Sequence, residues 1–374
     1  MCKLGDIAIV VGGGTPDTNT SQYWNGKIQW FTPSEIGRNK YVDNSVRTIS
    51  EEGLNKSSAK LLPIGTILLS SRATVGECSI NKKECTTNQG FQSLIPKENI
   101  SNEFVYYLIQ TKRKDLIRKS CGSTFLEISA NEVRKIVISI PTIKEQNKIA
   151  NVLSLLDERI ATQNKIIEDL KKLKSAIIEE YYRQTEKNEV CVADLGNHFN
   201  VGNLAKDDLS ETGKPCIIYG ELFTTYGEMI SQIESHTNKT GGMILSKKGD
   251  LLFPSSTTVD AVSLIAPSVI NVDNVILGGD MFGIHISHNY NAQYLSYYFN
   301  HIAKKQLAKF AKGSTIIHLH YTDIEKAKLL LPSLEEQNRM AKCLVALDKK
   351  VSVEQNLLSS LTCQKSYLLQ QMFI

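Results

Sequence analysis

No run of 18 apolar residues occurs in this 374-residue chain, so no helical membrane span is expected. The opening MCKLGDIAIVVGGG has a short apolar stretch, but Asp6 interrupts it and no small-residue cleavage site follows, so it reads as a first strand and not a signal peptide. The eight cysteines stand at 2, 78, 85, 121, 191, 216, 343 and 363, and none forms Cys-x-x-Cys. Neither a disulfide framework nor a cysteine-rich zinc site is indicated, and reduced thiols in a cytoplasmic protein are expected. No two prolines are adjacent, which removes the Pro-Pro-aromatic turn an amino-methyltransferase needs to hold its target amine. No Gly-Lys-Ser or Gly-Lys-Thr is present, so there is no P-loop. Gly12-Gly13-Gly14 lacks the strand, helix and later acid of a dinucleotide site and reads as a flexible loop. Pro16-Asp17 is not followed by the Glu-x-Lys of a nuclease metal site, and His285/His288 and His318/His320 lack partners at zinc-ligand spacing. The chain is therefore expected to hold no catalytic set, no metal and no cofactor of its own. Arginine is absent from 188 to 331.

What is present is a duplication. Residues 142–160, TIKEQNKIANVLSLLDERI, return 191 positions later as SLEEQNRMAKCLVALDKKV. GSTFLEISANEVRKIVISIP (122–141) returns as GSTIIHLHYTDIEKAKLLLP (313–332), and Tyr106-Tyr107 fall on Tyr297-Tyr298. Leu4-Gly5 are matched to Leu195-Gly196, and LPIGTILLSSRATVG to SKKGDLLFPSSTTVD at a shorter offset, as unequal loops would produce. A long internal period decides the architecture before any single motif does. Each copy reads as an α/β or α+β globular part, with one helix at 102–119 or 292–311, followed by a long helix. The boundaries are expected at 1–140, 141–187, 188–331 and 332–374.

Pro141 and Pro332 each close a strand, so the long helices should begin two to four residues later. Apolar residues then recur at alternating steps of four and three: Ile149, Leu153, Leu156, Ile160, Ile167, Leu170, Ile177 and Tyr181, and again Met340, Leu344, Leu347, Val351, Leu358, Leu361, Leu368 and Met372. This is a coiled-coil seam, and two of its columns are polar in both copies, Gln163/Glu354 and Lys174/Lys365. A helix of this kind, about 57 Å long, needs a partner along its apolar stripe. The other copy supplies it, antiparallel if a pseudo-twofold relates the copies, with the globular parts then at opposite ends of a rod.

KLGDI, GGGTPDT, WFTPSEI, LLSSRATVG and the twice-used P-x-x-x-E-Q helix opening resemble the specificity subunit of type I restriction–modification systems over nearly the whole chain. The second half lacks the GGTP and SSR elements. The resemblance implies two target-recognition domains, each reading half of a bipartite site in double-stranded DNA. It implies paired helices that set the spacing and dock two methyltransferase subunits carrying S-adenosylmethionine. Restriction/translocase subunits would complete an ATP-dependent nuclease, and all catalysis would lie in those partners. Two readers on one DNA face favour half-sites about 10 bp, roughly 34 Å, apart. A stand-alone coiled-coil scaffold that uses its globular ends on proteins is the competing reading.

Phosphate contacts supply affinity and base-edge contacts supply specificity. Residues 1–140 hold 18 Lys+Arg against 13 Asp+Glu, whereas 188–331 hold 11 Lys against 14 acids. Despite that difference, Arg113/Lys304, Lys114/Lys305 and Arg118/Lys309 keep three columns basic in both copies, flanked by Lys112 and Lys312. Ser123-Thr124 and Ser314 follow at once, with hydroxyls and free amides suited to phosphate or a base edge. Arg72, beside Ser71 and Thr74 in a polar loop after a strand, is the expected guanine reader. Without arginine, the second copy would read with Thr257, Thr258, Asn203 or Lys206. Trp24, Trp30 and Tyr23 are expected in the core.

Overall fold

The computed structural model describes residues 1–122 and 126–373. The chain forms two compact units, one of residues 1–164 with 356–374, the other of residues 165–355. These units cut across both long helices, Ile143–Gln184 and Leu334–Met372, so each contains part of both. The fold class is α+β, with two topologically matching sheets and two long helices.

In the first unit a five-stranded sheet has the order Ala8–Gly12, Gln92–Pro96, Ile67–Leu69, Cys78–Asn81, Tyr41–Val42. Its first three pairings are antiparallel and the last is parallel. In the second unit the order is Gly196–Asn200, Met281–Ile286, Asp250–Pro254, Ser268–Ile270, Met229–Ile230, with the same three antiparallel pairings and the same parallel edge. The middle strands, Ile67–Leu69 and Asp250–Pro254, carry apolar residues on both faces because both faces are covered. Ile67 and Leu69 point into the cluster that includes the helix Asn102–Thr111, while Leu68 points into a second cluster with Phe31 and Phe91. Leu251 and Phe253 against Leu252 repeat the alternation. On the second face lies a second sheet, three-stranded in the first unit. It is built on the parallel pair Trp24–Phe31 with Cys85–Thr87 in one unit and Lys214–Ile218 with Ile276–Gly278 in the other. Two further strands, Leu209–Ser210 and Ile244–Leu245, widen it to five in the second unit.

The repeated Glu-Gln opening has a structural reason. Both long helices begin two residues after the proline, at Ile143 and Leu334. Gln146 is 2% exposed, accepts from Ser101 N at 3.0 Å and donates to Pro141 O at 3.0 Å. Gln337 repeats this with Asn291 N at 3.0 Å and Pro332 O at 2.9 Å. One buried amide thus fastens the first turn of the long helix to the N-cap of the helix in the globular part, satisfying a donor and an acceptor that burial would otherwise strand.

These pairings also correct the register read from the sequence. Ser101 answers to Asn291, and Tyr107 to Tyr297, an offset of 190. Farther on, the bridge Cys121–Glu127 answers to Lys312–His318, an offset of 191. Between them the second copy carries a π-helical turn, Phe299–Ala303, which absorbs one extra residue without displacing the segment beyond it. The match of Tyr106-Tyr107 to Tyr297-Tyr298 is therefore one residue off. The expected single helices are also broken, into Asn102–Thr111 and Arg113–Arg118, and into Ala292–Tyr298, the π turn and Lys304–Leu307. At the start, Leu4 N donates to Ile136 O and Val192 N to Ala327 O, so Leu4 corresponds to Val192 and not to Leu195. Asp6 and Asp194 then play one part, each accepting from the amide three residues earlier at 2.7 Å.

The glycine run is not a flexible loop. A Cβ on Gly13 would stand 1.9 Å from Asn88 O, and one on Gly14 2.3 Å from Ser58 Oγ. Gly14 N donates to Thr87 O at 2.8 Å, and Gly14 O accepts from the buried Trp30 indole at 2.9 Å. The glycines permit close backbone packing of the entry loop.

Candidate nucleic-acid interface

In the first unit the basic segment lies on the short helix Arg113–Arg118 and its flanks. Lys114 is exposed and Lys112 half-buried at the helix N-cap. Arg113 lies 3.2 Å from Glu77, and the 77%-exposed Arg118 lies 2.8 Å from Asp115. Surface pairs of this kind are weak and exchange readily for phosphate. Ser123 and Thr124 lie outside the described residues. In the loop after Ile67–Leu69, Arg72 Nε stands 2.8 Å from Glu127 Oε1. Ala73 takes the left-handed conformation, and Thr74 donates to Ser70 Oγ at 3.1 Å. Ser71 is 0% exposed, its amide bound to Gly90 O, so its hydroxyl is not offered to a ligand at the surface.

In the second unit Lys305, Lys309, Lys312 and Ser314 are exposed and Lys304 is half-buried. Lys305 and Lys309 are in no ion pair among the described residues. Lys312 pairs with Asp323 at 2.5 Å. Thr257, Thr258 and Lys304 are brought together with Tyr219, Ile316 and His318 around a cleft of about 880 Å³. Asn203 lines an adjoining hollow that shares Tyr219 and Asp280, and Lys206 is exposed nearby in sequence. His285 Nδ1 donates to Asp250 Oδ1 at 2.6 Å, and no group of three metal-ligating side chains occurs among the described residues.

Along the seam, Leu153, Leu156, Gln163, Ile167, Leu344, Val351, Glu354 and Leu361 are buried, and Ile160, Leu170, Leu347 and Leu358 half-buried. In the first unit Leu153 belongs to the core against which Leu368, Leu369, Met372 and Phe373 pack. In the second, Ile177, Ile178 and Tyr181 meet Met340, Leu344 and Leu347. The start of one helix thus meets the end of the other within each unit, the antiparallel arrangement.

The polar seam lysines mark a junction that the sequence only half reveals. Lys365 pairs with Asp157 at 2.6 Å, and Lys174 with Asp348 at 2.9 Å. Tyr107 donates to Asp157 at 2.7 Å, and Tyr297 to Asp348 at 2.5 Å. Burial first, and the neighbouring carboxylate second, push both phenols far above their ordinary range. The residue before the parallel edge strand completes each junction, with opposite charge. Lys40 reaches Glu103 at 3.0 Å and Ser154 at 3.0 Å. Glu228 reaches Lys174 and His301, each at 2.9 Å. Burial drives the Glu228 carboxyl up, but His301 and Lys174 outweigh it and hold it at about 2. Asp157 and Asp348 recur in register and signal the junction in the sequence. Lys40 and Glu228 do not, because they differ in charge and fall where loop lengths diverge.

A family model described as the type I restriction modification DNA specificity domain matches residues 1–172 and again 185–362. The specificity subunit of the type I restriction enzyme MjaIX of Methanocaldococcus jannaschii is 39% identical over 51% of this chain, which spans 45% of that relative's length. The MjaVIII specificity subunit of the same organism is 23% identical over 95% of this chain and 87% of its own. Among solved structures, the type I S subunit from M. genitalium superposes with a TM-score of 0.62 at 17% identity, covering 100% of this chain and 95% of that one. A chain from a study of complex assembly and conformational transition of the type I R-M system does so at 0.64 and 15%, covering 99% and 96%. At those identities the likeness is one of fold. No helix among the described residues is long and apolar enough to cross a membrane.

Proposed function

The chain belongs to the type I restriction–modification DNA specificity family, and from this premise we propose that it is the non-catalytic, sequence-reading subunit of such a complex. Residues 1–140 and 188–331 each read one half of a bipartite double-stranded site. Regions 141–187 and 332–374 carry the helices that receive two methyltransferase subunits, and restriction/translocase subunits complete the nuclease. The S-adenosylmethionine belongs to the methyltransferase partners, and this chain needs no cofactor. Its working place is the cytoplasm, where the DNA is. The observation that carries the reading is the duplication itself: two sheets of identical strand order, each followed by a basic helical segment at the same place in the fold. A single binding site requires no such repetition, whereas a two-part site requires two readers.

The test is methylome sequencing of a host expressing the chain with its own methyltransferase subunit, supported by gel shifts on the motif obtained. The expected result is one methylated motif of two short specified halves around an unspecified spacer. Methylation at a single undivided word, or none, would sink the reading.

A further inference from the structure

Arginine is the commonest guanine reader because its planar fork presents two donors to O6 and N7. With no arginine between 188 and 331, that contact falls to the first globular part. There, Arg72, Arg113 and Arg118 each sit beside a carboxylate, and Arg134 is occupied by Asn131 and the Val10 carbonyl. Arg38 and Arg47 are exposed and in no ion pair among the described residues.

Of these two, Arg47 is held in place. Its guanidinium carbon lies 3.5 Å from the centroid of the Trp24 ring and 5.5 Å from that of Trp30. The two indoles are buried and meet edge to face, 5.1 Å apart. Neither can turn, because Trp24 Nε1 donates to Asp17 O at 3.0 Å and Trp30 Nε1 to Gly14 O at 2.9 Å. Antiparallel pairing of Arg47 with Trp30 fixes the backbone. Stacking engages the face of the guanidinium and leaves its N–H edge to other partners. The loop that anchors the indoles also carries Thr15, which donates to Gln89 at 2.5 Å. Gln89 adjoins Gly90, whose carbonyl holds Ser71 N beside Arg72 at 2.8 Å. Hydrogen bonds therefore connect the loop that anchors the two indoles, through Gln89-Gly90, to the Arg72 loop.

We propose that Arg47, held over the Trp24 ring, reads a guanine in the half-site of the first globular part, the role the sequence pattern gives to Arg72. The inference rests on the DNA-specificity reading proposed for the chain, and its test separates the two. The full chain is expressed with its own methyltransferase subunit, and methylomes are compared for wild type, Arg47→Met and Arg47→Lys. Methionine keeps an apolar stem over the indole and removes every donor, while lysine keeps the charge and loses the fork. At one G·C position of one half-site, a preference of about five- to a hundredfold should collapse in both variants, the other half staying intact. An unchanged motif in Arg47→Met overturns the proposal. So does an even loss of methylation with both halves still specified, the mark of a phosphate anchor. If thermal melting shows that neither variant folds, Arg47 is only a cover for Trp24 and the assignment is wrong. A wild-type chain with no two-part motif brings down the DNA-specificity reading itself.

Discussion

Lys174 carries a charge into a helix seam where burial alone would favour its neutral form. Glu228 and Asp348 more than offset that burial, so the ammonium holds its proton more firmly than usual. Glu228 is the reciprocal case, held at about 2 against an ordinary 4.5. Because its folded form binds the proton more weakly than its unfolded form, it stabilises the fold at pH above about 4.5. That contribution is lost as pH falls from there toward 2. Glu228→Gln should be less stable than the native chain at neutral pH and should show a flatter loss of stability over that acid window. Hydrogen exchange of the strand Asp250–Pro254, compared across pH in both proteins, measures this, and coincident profiles would show that the carboxylate is not paired in solution. The lysine half of this junction was legible in the sequence as a polar column in an apolar stripe. Asp348 was legible too, as a repeat of Asp157, but Glu228 was not, since its counterpart, Lys40, carries the opposite sign.

A long helix whose first turn is tied by one glutamine depends on that side chain. Gln146→Leu should strand the Ser101 amide and the Pro141 carbonyl and cost about 2–4 kcal/mol in chemical denaturation. An effect under ~0.5 kcal/mol would mean water replaces the amide. The motif was visible in the sequence as a repeated Glu-Gln, but its reason was not, because its partner lies in another helix. Register inside the globular parts was also hidden. A one-residue insertion absorbed by a π turn leaves no gap that the eye can place, and Leu-Gly pairs near both starts offered a false match. The basic columns survive these corrections, because they come after the π turn. Changing Lys304, Lys305 and Lys309 together to Gln should lower the slope of log affinity against log salt by up to about 3, measured by fluorescence anisotropy on the methylated motif. An unchanged slope would discard these three as phosphate contacts.

The duplication, the sheet-and-helix class and the helix starts were all legible, since each is a periodic property of the chain. The compact units were not, because they reflect packing and not sequence order. Residues 356–374 belong with the first 164, and Phe373 stacks near Phe104 with ring centroids 5.0 Å apart. Removing 356–374 should therefore raise hydrogen exchange in Asn102–Thr111 and leave Ala292–Tyr298 unchanged, as peptide-resolved mass spectrometry would show. The reverse pattern would refute the assignment of that segment. The same packing has a consequence during synthesis. The apolar surface around Phe104 and Leu153 leaves the ribosome first, yet Leu368, Leu369, Met372 and Phe373 that cover it are made about 215–270 residues later, about 11–54 s at ordinary elongation rates. Through that interval the nascent chain must carry an uncovered groove, the kind of surface that chaperones guard and that a neighbouring nascent copy, emerging from the same messenger, could fill with its own tail.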